Sequence, residues 1–404
     1  MQIEKLNRMN IIFFEDNSRD NLLPLTFTRP VADLRVGITT IKEKWELLFN
    51  TKGSFITQDY LSVKFPKNIC ADNLLINGSL IPNNSLFKSI NSLSINECLK
   101  YNEKIIAVRL DEKGVDNFCF TNTDSYNIIT LDTESDIISI ENPWDIFSYN
   151  GKVIEYDFQM ITKGRTSASV SSTNTVLGAE NLFVEEGAYI ECAIINATTG
   201  PVYIGKDAEV MEGSIIRGPF VLCEHSGLKL GAKIYGPTTI GPHSKVGGEV
   251  NNSVIQGYSN KGHDGFLGNS VLGEWCNIGA DSNNSNLKNN YAEVKLWSYT
   301  KQRFVKTGLQ FCGLIMADHS KCGINTMFNT GTVVGVSANI YGSGFPRNYV
   351  PSFSWGGASG FVDYNIKAVF EVAEKVMQRR GIAFDQTEQD ILNHIYAETV
   401  ANRK

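Results

Sequence analysis

One histidine lies in a glycine-rich stretch whose residue types suit proton transfer. His263 stands between Gly262 and Asp264, with Gly265 and Gly268 close behind. Glycines leave the backbone open to a ligand, and Asp264 is placed to fix the tautomer of the ring. An imidazole, with a reference pKa near 6.5, accepts a proton at neutral pH better than a lysine or a carboxylate at its reference pKa. We therefore predict that His263 is a general base; the alternative is a turn histidine whose hydrogen bonds only satisfy the loop.

The residues that must hold His263 in place follow a six-residue repeat. One inward aliphatic residue per hexad is typical of a parallel β-helix, in which each hexad supplies a short strand and a turn. The repeat slips by two residues between Val246 and Val254, and Phe266, Leu272 and Ile278 then resume it. The unbroken run is Ile204, Val210, Ile216, Leu222, Leu228, Ile234, Ile240 and Val246, and a weaker count reappears at Cys312, Asp318, Ile324, Thr330 and Val336.

Changes in composition divide the chain into three regions. Short apolar runs alternating with helical patterns predict an α/β domain over 1–165, with ligands at the carboxyl ends of its strands. The hexads predict the β-helix over 166–351. The count fails at about 281–310, which predicts an inserted loop, and loops on rigid scaffolds often carry function. Two amphipathic patterns predict a helical C-terminal segment over 352–404.

Charge and cysteine content exclude several classes of protein. The 404 residues include 37 basic and 43 acidic side chains without a block of like charge, which argues against nucleic acid as a partner. No apolar run is long enough to span a membrane. The 8 cysteines contain no CxxC pair, so we expect free thiols and a cytoplasmic protein. Because hexapeptide β-helices commonly assemble with their flat faces together, we also expect a homotrimer.

The stretch GHDGFLGNSVLGEWCNIGADSNNSN, residues 262–286, resembles the acyltransferase motif of a bifunctional enzyme family. That family is the GlmU-like UDP-N-acetylglucosamine pyrophosphorylase/glucosamine-1-phosphate N-acetyltransferase. The resemblance implies a left-handed β-helix that uses acetyl-CoA, with His263 removing a proton from the amine of an amino-sugar phosphate. It further implies that Phe266, Asn277 and Asn286 bind the sugar, although the family has a tyrosine at the first position, and that Ala280 lies near the coenzyme.

The following segment, SNLKNNYAEVK at 285–295, resembles Asn-Leu-Arg and Glu-Val-Lys elements of archaeal members of this family. The resemblance implies that Lys288 and Lys295 lie near the sugar phosphate.

The N-terminal segment SRDNLLPLTFTRPVADLRVG, residues 18–37, resembles the phosphate-binding signature of sugar-phosphate nucleotidyltransferases. The resemblance implies that Arg19, Thr26 and Arg29 bind a nucleoside triphosphate and that Mg²⁺ serves this domain. Ser79, however, stands where the family has its metal-binding aspartate, and the metal ligands stay unassigned. Residues 18–37 and 143–158 also resemble a group of sugar nucleotidyltransferases that are fused to a hexapeptide solenoid.

Together these resemblances predict a transferase of sugar-nucleotide biosynthesis, leading to UDP-N-acetylglucosamine. Its substrates would be a sugar phosphate, a nucleoside triphosphate and an acyl-CoA. Two alternatives stay open: a nucleotidyltransferase only, and a non-catalytic trimeric scaffold that binds a sugar nucleotide.

Overall fold

The computed structural model describes residues 9–122, 125–131 and 137–403. The chain divides into two compact units. The first unit contains residues 1–19, 29–34 and 39–141, and the second contains 20–28, 35–38 and 142–404. The domain predicted over 1–165 therefore extends past the first unit by one helix, and its residues 1–8 lie outside the described part.

The first unit is built on a mixed β-sheet. Its described strands are β1 (Asn10–Phe14), β2 (Gly53–Ile56), β3 (Asn73–Asn77), β4 (Leu80–Ile81), β5 (Glu97–Tyr101), β6 (Lys104–Leu110), β7 (Asn127–Thr130) and β8 (Ile138–Ser139). Six of them form the sheet, with the order β2-β1-β3-β6-β5-β7. Strand β1 runs parallel to β2 and β3, whereas β6 is antiparallel to β3. The carboxyl ends of β1 and β3 thus meet the start of β6 at one edge.

Seven α-helices occur in the described part of the chain, and the longer ones begin at capping residues. Thr40 accepts a hydrogen bond from the Glu43 amide while Glu43 bonds back to Thr40, a capping box that starts the second helix. The Asp385 side chain accepts a hydrogen bond from the Glu388 amide and caps the last α-helix. The helices are α1 (Ser18–Asn21), α2 (Ile41–Phe49), α3 (Asn84–Asn91), α4 (Glu112–Asp116), α5 (Pro143–Thr162), α6 (Ile366–Gln378) and α7 (Gln386–Glu398).

The second unit contains the predicted left-handed parallel β-helix, which has about ten coils. Three sheets form its sides. The nine-stranded sheet contains Leu182–Val184, Val202–Ile204, Phe220–Leu222, Thr238–Ile240, Val254–Gly257, Val271–Glu274, Leu314–Met316, Thr332–Val334 and Tyr349–Val350. The ten-stranded sheet contains Tyr189–Ile190, Glu209–Val210, Gly227–Leu228, Lys245–Val246, Asn260–Lys261, Asn277–Ile278, Lys321–Cys322, Asn339–Ile340, Ser354–Gly357 and Gly360–Asp363. The six-stranded sheet contains Thr175–Leu177, Ile194–Asn196, Ile215–Arg217, Lys233–Tyr235, Glu249–Asn251 and Phe266–Gly268.

The repeat count correctly identified the inward positions upstream of the register slip. All eight aliphatic residues from Ile204 to Val246 lie in one buried core. Downstream the count placed Leu272 and Ile278 correctly in the core, but it was wrong at Phe266 and Ile324. Leu267 points inward, whereas Phe266 is half-buried on the outer face. Ile324 is 69 % exposed, and the inward residues of that region are Leu314, Met316, Cys322, Phe328, Val334 and Ile340.

An insertion interrupts the β-helix slightly later than predicted. Asn283–Asn284 still pairs with Met327–Phe328 of the next coil, so the inserted loop begins after these residues rather than at 281. It carries an antiparallel hairpin, Lys295–Ser298 with Arg303–Lys306. All eight cysteines are free thiols. Among the described residues, no helix combines the length and the hydropathy that crossing a membrane requires.

Candidate active site

A cleft in the second unit has a volume of about 700 Å³ and contains His263 in its lining. Its floor is the outer face of the ten-stranded sheet. One wall is formed by Val376 of α6 together with Arg379 and Arg380, which follow the end of this helix. Tyr258 and Trp275 line another part of it, with their rings stacked at 4.4 Å between centroids. These aromatic residues follow one corner of successive coils, where both adopt positive φ.

His263 lies at a corner of the β-helix, between the strands Asn260–Lys261 and Phe266–Gly268. Its side chain is exposed. Within the described part of the chain the imidazole has no hydrogen bond or ion pair. Contrary to our prediction, Asp264 therefore does not fix the tautomer of the ring. Gly262 beside it has open space where a Cβ would be. The ring is thus available to a ligand in the cleft.

Positive charge dominates the cleft. The lining contains five basic side chains in addition to His263 and no carboxylate: Lys229, Lys245, Lys321, Arg379 and Arg380. Burial lowers the pKa of Lys245, and the charges of Lys229 and Arg380 lower it further, against an opposing effect of Glu209. Burial also lowers the pKa of Lys321 to about 8. A cleft whose cations lower the pKa of Lys245 in this way suits an anionic ligand.

Only part of the predicted ligand set lies on this cleft. Asn277 and Ala280 line it together with His263. Phe266 and Asn286 meet elsewhere, around Gly268, where a Cβ would lie 2.5 Å from the Phe266 ring and 2.7 Å from the Asn286 amide nitrogen. The Asn286 amide donates to Asn269 at 2.8 Å.

The two predicted lysines of the inserted loop also lie outside the residues that line the cleft. Lys288 donates to the Glu293 carbonyl at 2.9 Å, and Lys295 is exposed on the hairpin opposite Lys306.

The sequence did not identify the cationic lining of the cleft. A signal was present, because Lys245 and Lys321 each precede an inward residue, at the position that points outward from the same strand. Arg379 and Arg380 follow α6 in the C-terminal helical segment. Their place on the cleft depends on how α6 packs, which a local pattern does not reveal.

The residues predicted to bind nucleotide phosphates are all buried. Arg19 is 7 % exposed, Thr26 is fully buried and Arg29 is 6 % exposed. Arg19 donates to the Tyr60 hydroxyl at 2.9 Å, and Arg29 forms an ion pair with Asp33 at 3.5 Å. Arg19 and Arg29 belong to the first unit and Thr26 to the second.

The edge of the first-unit sheet where a metal would be expected holds a lysine. The Lys104 ammonium donates to the Ser79 and Ser139 hydroxyls at 2.9 Å each and to Glu141, and lies 3.3 Å from Asp16. Burial raises the pKa of Asp16, but Lys104 and hydrogen bonds from Ser18 and Asn77 outweigh it and hold this pKa below its ordinary value.

The neighbouring carboxylate, Glu15, accepts hydrogen bonds from the Val31 amide at 2.9 Å and the Thr57 hydroxyl at 2.6 Å. No cluster of three His, Cys, Asp or Glu side chains suited to a metal occurs in the described residues. Because the Lys104 ammonium lies 3.3 Å from Asp16, where a divalent ion would be expected, this arrangement does not fit a Mg²⁺ ion.

The chain is similar to proteins that are named for nucleotidyl transfer and for acetyl transfer. Residues 11–166 match the family described as sugar nucleotidyl transferase. The chain is 28 % identical over 221 residues to the "Bifunctional sugar-1-phosphate nucleotidylyltransferase/acetyltransferase" of Sulfurisphaera tokodaii, covering 54 % of this chain and 50 % of that protein. It is 30 % identical over 120 residues to the "Bifunctional protein GlmU" of Methanocaldococcus jannaschii, covering 30 % of this chain and 25 % of that protein.

The chain thus spans half of the first relative's length and a quarter of the second's. A solved structure of a hexapeptide transferase family protein from Anaplasma phagocytophilum is 14 % identical, with a TM-score of 0.17, over 58 % of this chain and 91 % of that one.

Proposed function

We propose that the chain is a transferase of sugar-nucleotide biosynthesis whose second unit transfers an acetyl group from acetyl-CoA to the amine of an amino-sugar phosphate. His263 is the general base that takes the proton from the attacking amine. The observation that carries this proposal is an exposed imidazole on a cationic cleft that lacks carboxylates.

The charge of the cleft supports this pair of substrates. An acyl-CoA and a sugar phosphate are both anionic through their phosphates, and Arg379 and Arg380 offer planar guanidinium groups that suit phosphate oxygens. Asn277 lies beside His263 on the cleft and supplies an amide for the sugar hydroxyls. Holding the amine and thioester together would supply much of the rate enhancement.

The test replaces two histidines in parallel. His263→Gln should reduce acetyl transfer from acetyl-CoA to glucosamine-1-phosphate by about 10²- to 10⁴-fold, the usual range for a general base. His225→Gln is the matched control, because His225 is also exposed but does not line the cleft, and its turnover should equal that of the wild type. Equal turnover in the His263 variant would reject the proposal. Arg380→Gln should raise the KM for acetyl-CoA, most strongly at low salt.

Nucleotidyl transfer to a sugar-1-phosphate is the second candidate function, and the family match over 11–166 favours it. Because Lys104 lies where a divalent ion would be expected, the assay should follow pyrophosphate release from a nucleoside triphosphate both with Mg²⁺ and with a chelator. Loss of release in Arg19→Ala would support this function. No turnover in either assay would favour the remaining alternative, a non-catalytic scaffold that binds a sugar nucleotide.

A homotrimer is part of the proposal. The outer face of the six-stranded sheet exposes apolar side chains in neighbouring strands, with Ile194 and Ile215 paired and 44 % and 48 % exposed. An apolar patch of this kind favours association. Light scattering on the purified protein should give three times the mass of the chain.

A further inference from the structure

A lysine occupies a core position of the β-helix two residues before His263. On the ten-stranded sheet, Lys261 pairs with Val246 of the preceding coil. The corresponding inward residues of other coils include Leu228, Ile278 and Cys322, all in the buried core. The Lys261 side chain is nevertheless only 2 % exposed. A charge at such a position is costly unless hydrogen bonds compensate for it, so it calls for a reason beyond packing.

The Lys261 ammonium leaves the core at the corner that carries His263. Its Nζ donates to the His263 carbonyl at 2.8 Å and to the Gly247 carbonyl at 2.8 Å. Gly247 and Gly248 form the same corner one coil earlier, between the strands Lys245–Val246 and Glu249–Asn251. A Cβ on Gly248 would lie 2.9 Å from Nζ, so the absence of a side chain there leaves room for the ammonium.

Among the described residues, Lys261 is the only hydrogen-bond partner of His263. The neighbouring corner residues have partners of their own, since the Asp264 and Gly265 carbonyls accept from Asp281 and Glu249. Among the described residues, the His263 carbonyl itself is thus held by one ammonium group.

We propose that Lys261 is a positioning residue that holds the His263 corner against the preceding coil and so aims the imidazole into the cleft. The inference rests on the proposed acetyl transfer, because only that reaction gives the position of the ring a consequence for rate. Small displacements of a reacting group reduce rates substantially, so loss of the ammonium should lower kcat more than it changes the binding of acetyl-CoA.

The charge of Lys261 should also depend on pH. Burial lowers its pKa to about 8; Asp264 and Cys322 raise it, and Lys233 lowers it. A neutral amine donates weaker hydrogen bonds than an ammonium. Acetyl transfer should therefore show a decline near pH 8 that depends on this lysine.

The experiment compares Lys261→Met, which keeps an unbranched chain without a charge, with the wild type. We expect kcat to fall at least tenfold, the KM for acetyl-CoA to stay within twofold, and the decline near pH 8 to disappear. Lys206→Met is the matched control, because Lys206 is an exposed corner lysine away from the cleft, and it should behave as the wild type does. An unchanged kcat and pH profile in Lys261→Met would overturn the proposal.

A second measurement separates this inference from the acetyl transfer itself. In protein labelled with ¹³C at histidine, five signals are expected, since the chain has 5 histidines, and His263→Gln identifies the one of interest. Lys261→Met should shift the His263 signal and leave that of His394 in place, whether or not the protein acetylates any sugar. A His263 signal that stays unchanged would overturn the positioning role. A shifted signal in a protein without acetyl transfer would reject the proposed function alone. If Lys261→Met does not fold, Lys261→Gln takes its place, because its shorter side chain also lacks the ammonium, and the decline near pH 8 should again disappear.

Discussion

Removing the buried charge of Lys261 should change how the stability of the protein depends on pH. In the folded state the pKa of Lys261 is lowered from 10.5 to about 8, chiefly by burial. Between these two values the unfolded chain binds more protons than the folded chain, so the free energy of unfolding rises with pH. Below about pH 8 the destabilisation by the buried charge is fully present, and it disappears as the pH approaches 10.5.

The magnitude follows from the size of the shift. Each pKa unit corresponds to about 1.4 kcal/mol, so the full shift corresponds to about 3 kcal/mol. Lys261→Met removes this contribution and leaves the Gly247 and His263 carbonyls without their donor, which costs about 1–3 kcal/mol at every pH. These two effects oppose each other, so the free energy of unfolding at pH 7 should differ little between variant and wild type. From pH 7 to pH 10, the free energy of unfolding of the wild type should rise by about 2–3 kcal/mol relative to that of the variant.

Urea denaturation of both proteins at pH 7 and pH 10 measures this shift, because the pH dependence of all other groups cancels in the difference. Lys206→Met, whose lysine is exposed, should track the wild type at both pH values. A difference between Lys261→Met and the wild type that stays constant within 0.5 kcal/mol would show that Lys261 is not a buried charge, and the argument from its core position would fail.

Two further predictions concern the β-helix itself. Ile234→Ala should lower the free energy of unfolding by about 2–5 kcal/mol, because Ile234 is a core residue. Ile215 points outward from the neighbouring strand, so Ile215→Ala should change the free energy of unfolding by less than about 0.5 kcal/mol and weaken only self-association. Equal losses in the two variants would contradict the assigned inward face. Gly265→Ala should cost about 3 kcal/mol or more, because φ is +116° and the new Cβ would lie 2.1 Å from the Ser282 carbonyl oxygen. Gly231→Ala, with φ at +68° and open space around it, should cost only about 1–2 kcal/mol in the same denaturation assay.

The sequence predicted the β-helix because its inward positions repeat without interruption from Ile204 to Val246. After Val246 the hexad count misplaced two positions for a geometric reason. Val210 and Leu228 pair across one full coil of 18 residues, but Val246 pairs with Lys261 after only 15, because this coil has short corners. Asn277 pairs with Lys321 after 44 residues, across the insertion. A count of hexads does not follow such changes in coil length, and Phe266 and Ile324 were placed inward as a result, although Leu272 and Ile278 were placed correctly.

The candidate site was predictable only in part. His263, Asn277 and Ala280 lie on adjacent coils, so a motif read along the chain brought them to one cleft. Arg379 and Arg380 reach the same cleft from a helix about a hundred residues away, and no local pattern indicates where that helix packs. In the first unit, tertiary packing likewise determines the burial of Arg19 and Arg29 and the position of Lys104 at the sheet edge. The sequence showed that Ser79 replaced an aspartate, but not that a lysine donates to it.

Lys261 is an exception among the mostly aliphatic residues that occupy the inward positions of this sheet. The six-residue pattern requires an aliphatic residue at this position, and a lysine there conflicts with every local preference of the core. Such conflicts between local pattern and fold tend to fall at functional sites. Here the exception and the one exposed histidine on the cleft share a corner, and a hydrogen bond of 2.8 Å joins them. The shortened corner at Gly247 and Gly248, first visible as a slip in the hexad count, is what gives the ammonium its second acceptor. The slip, the misplaced lysine and the histidine therefore belong to one local arrangement.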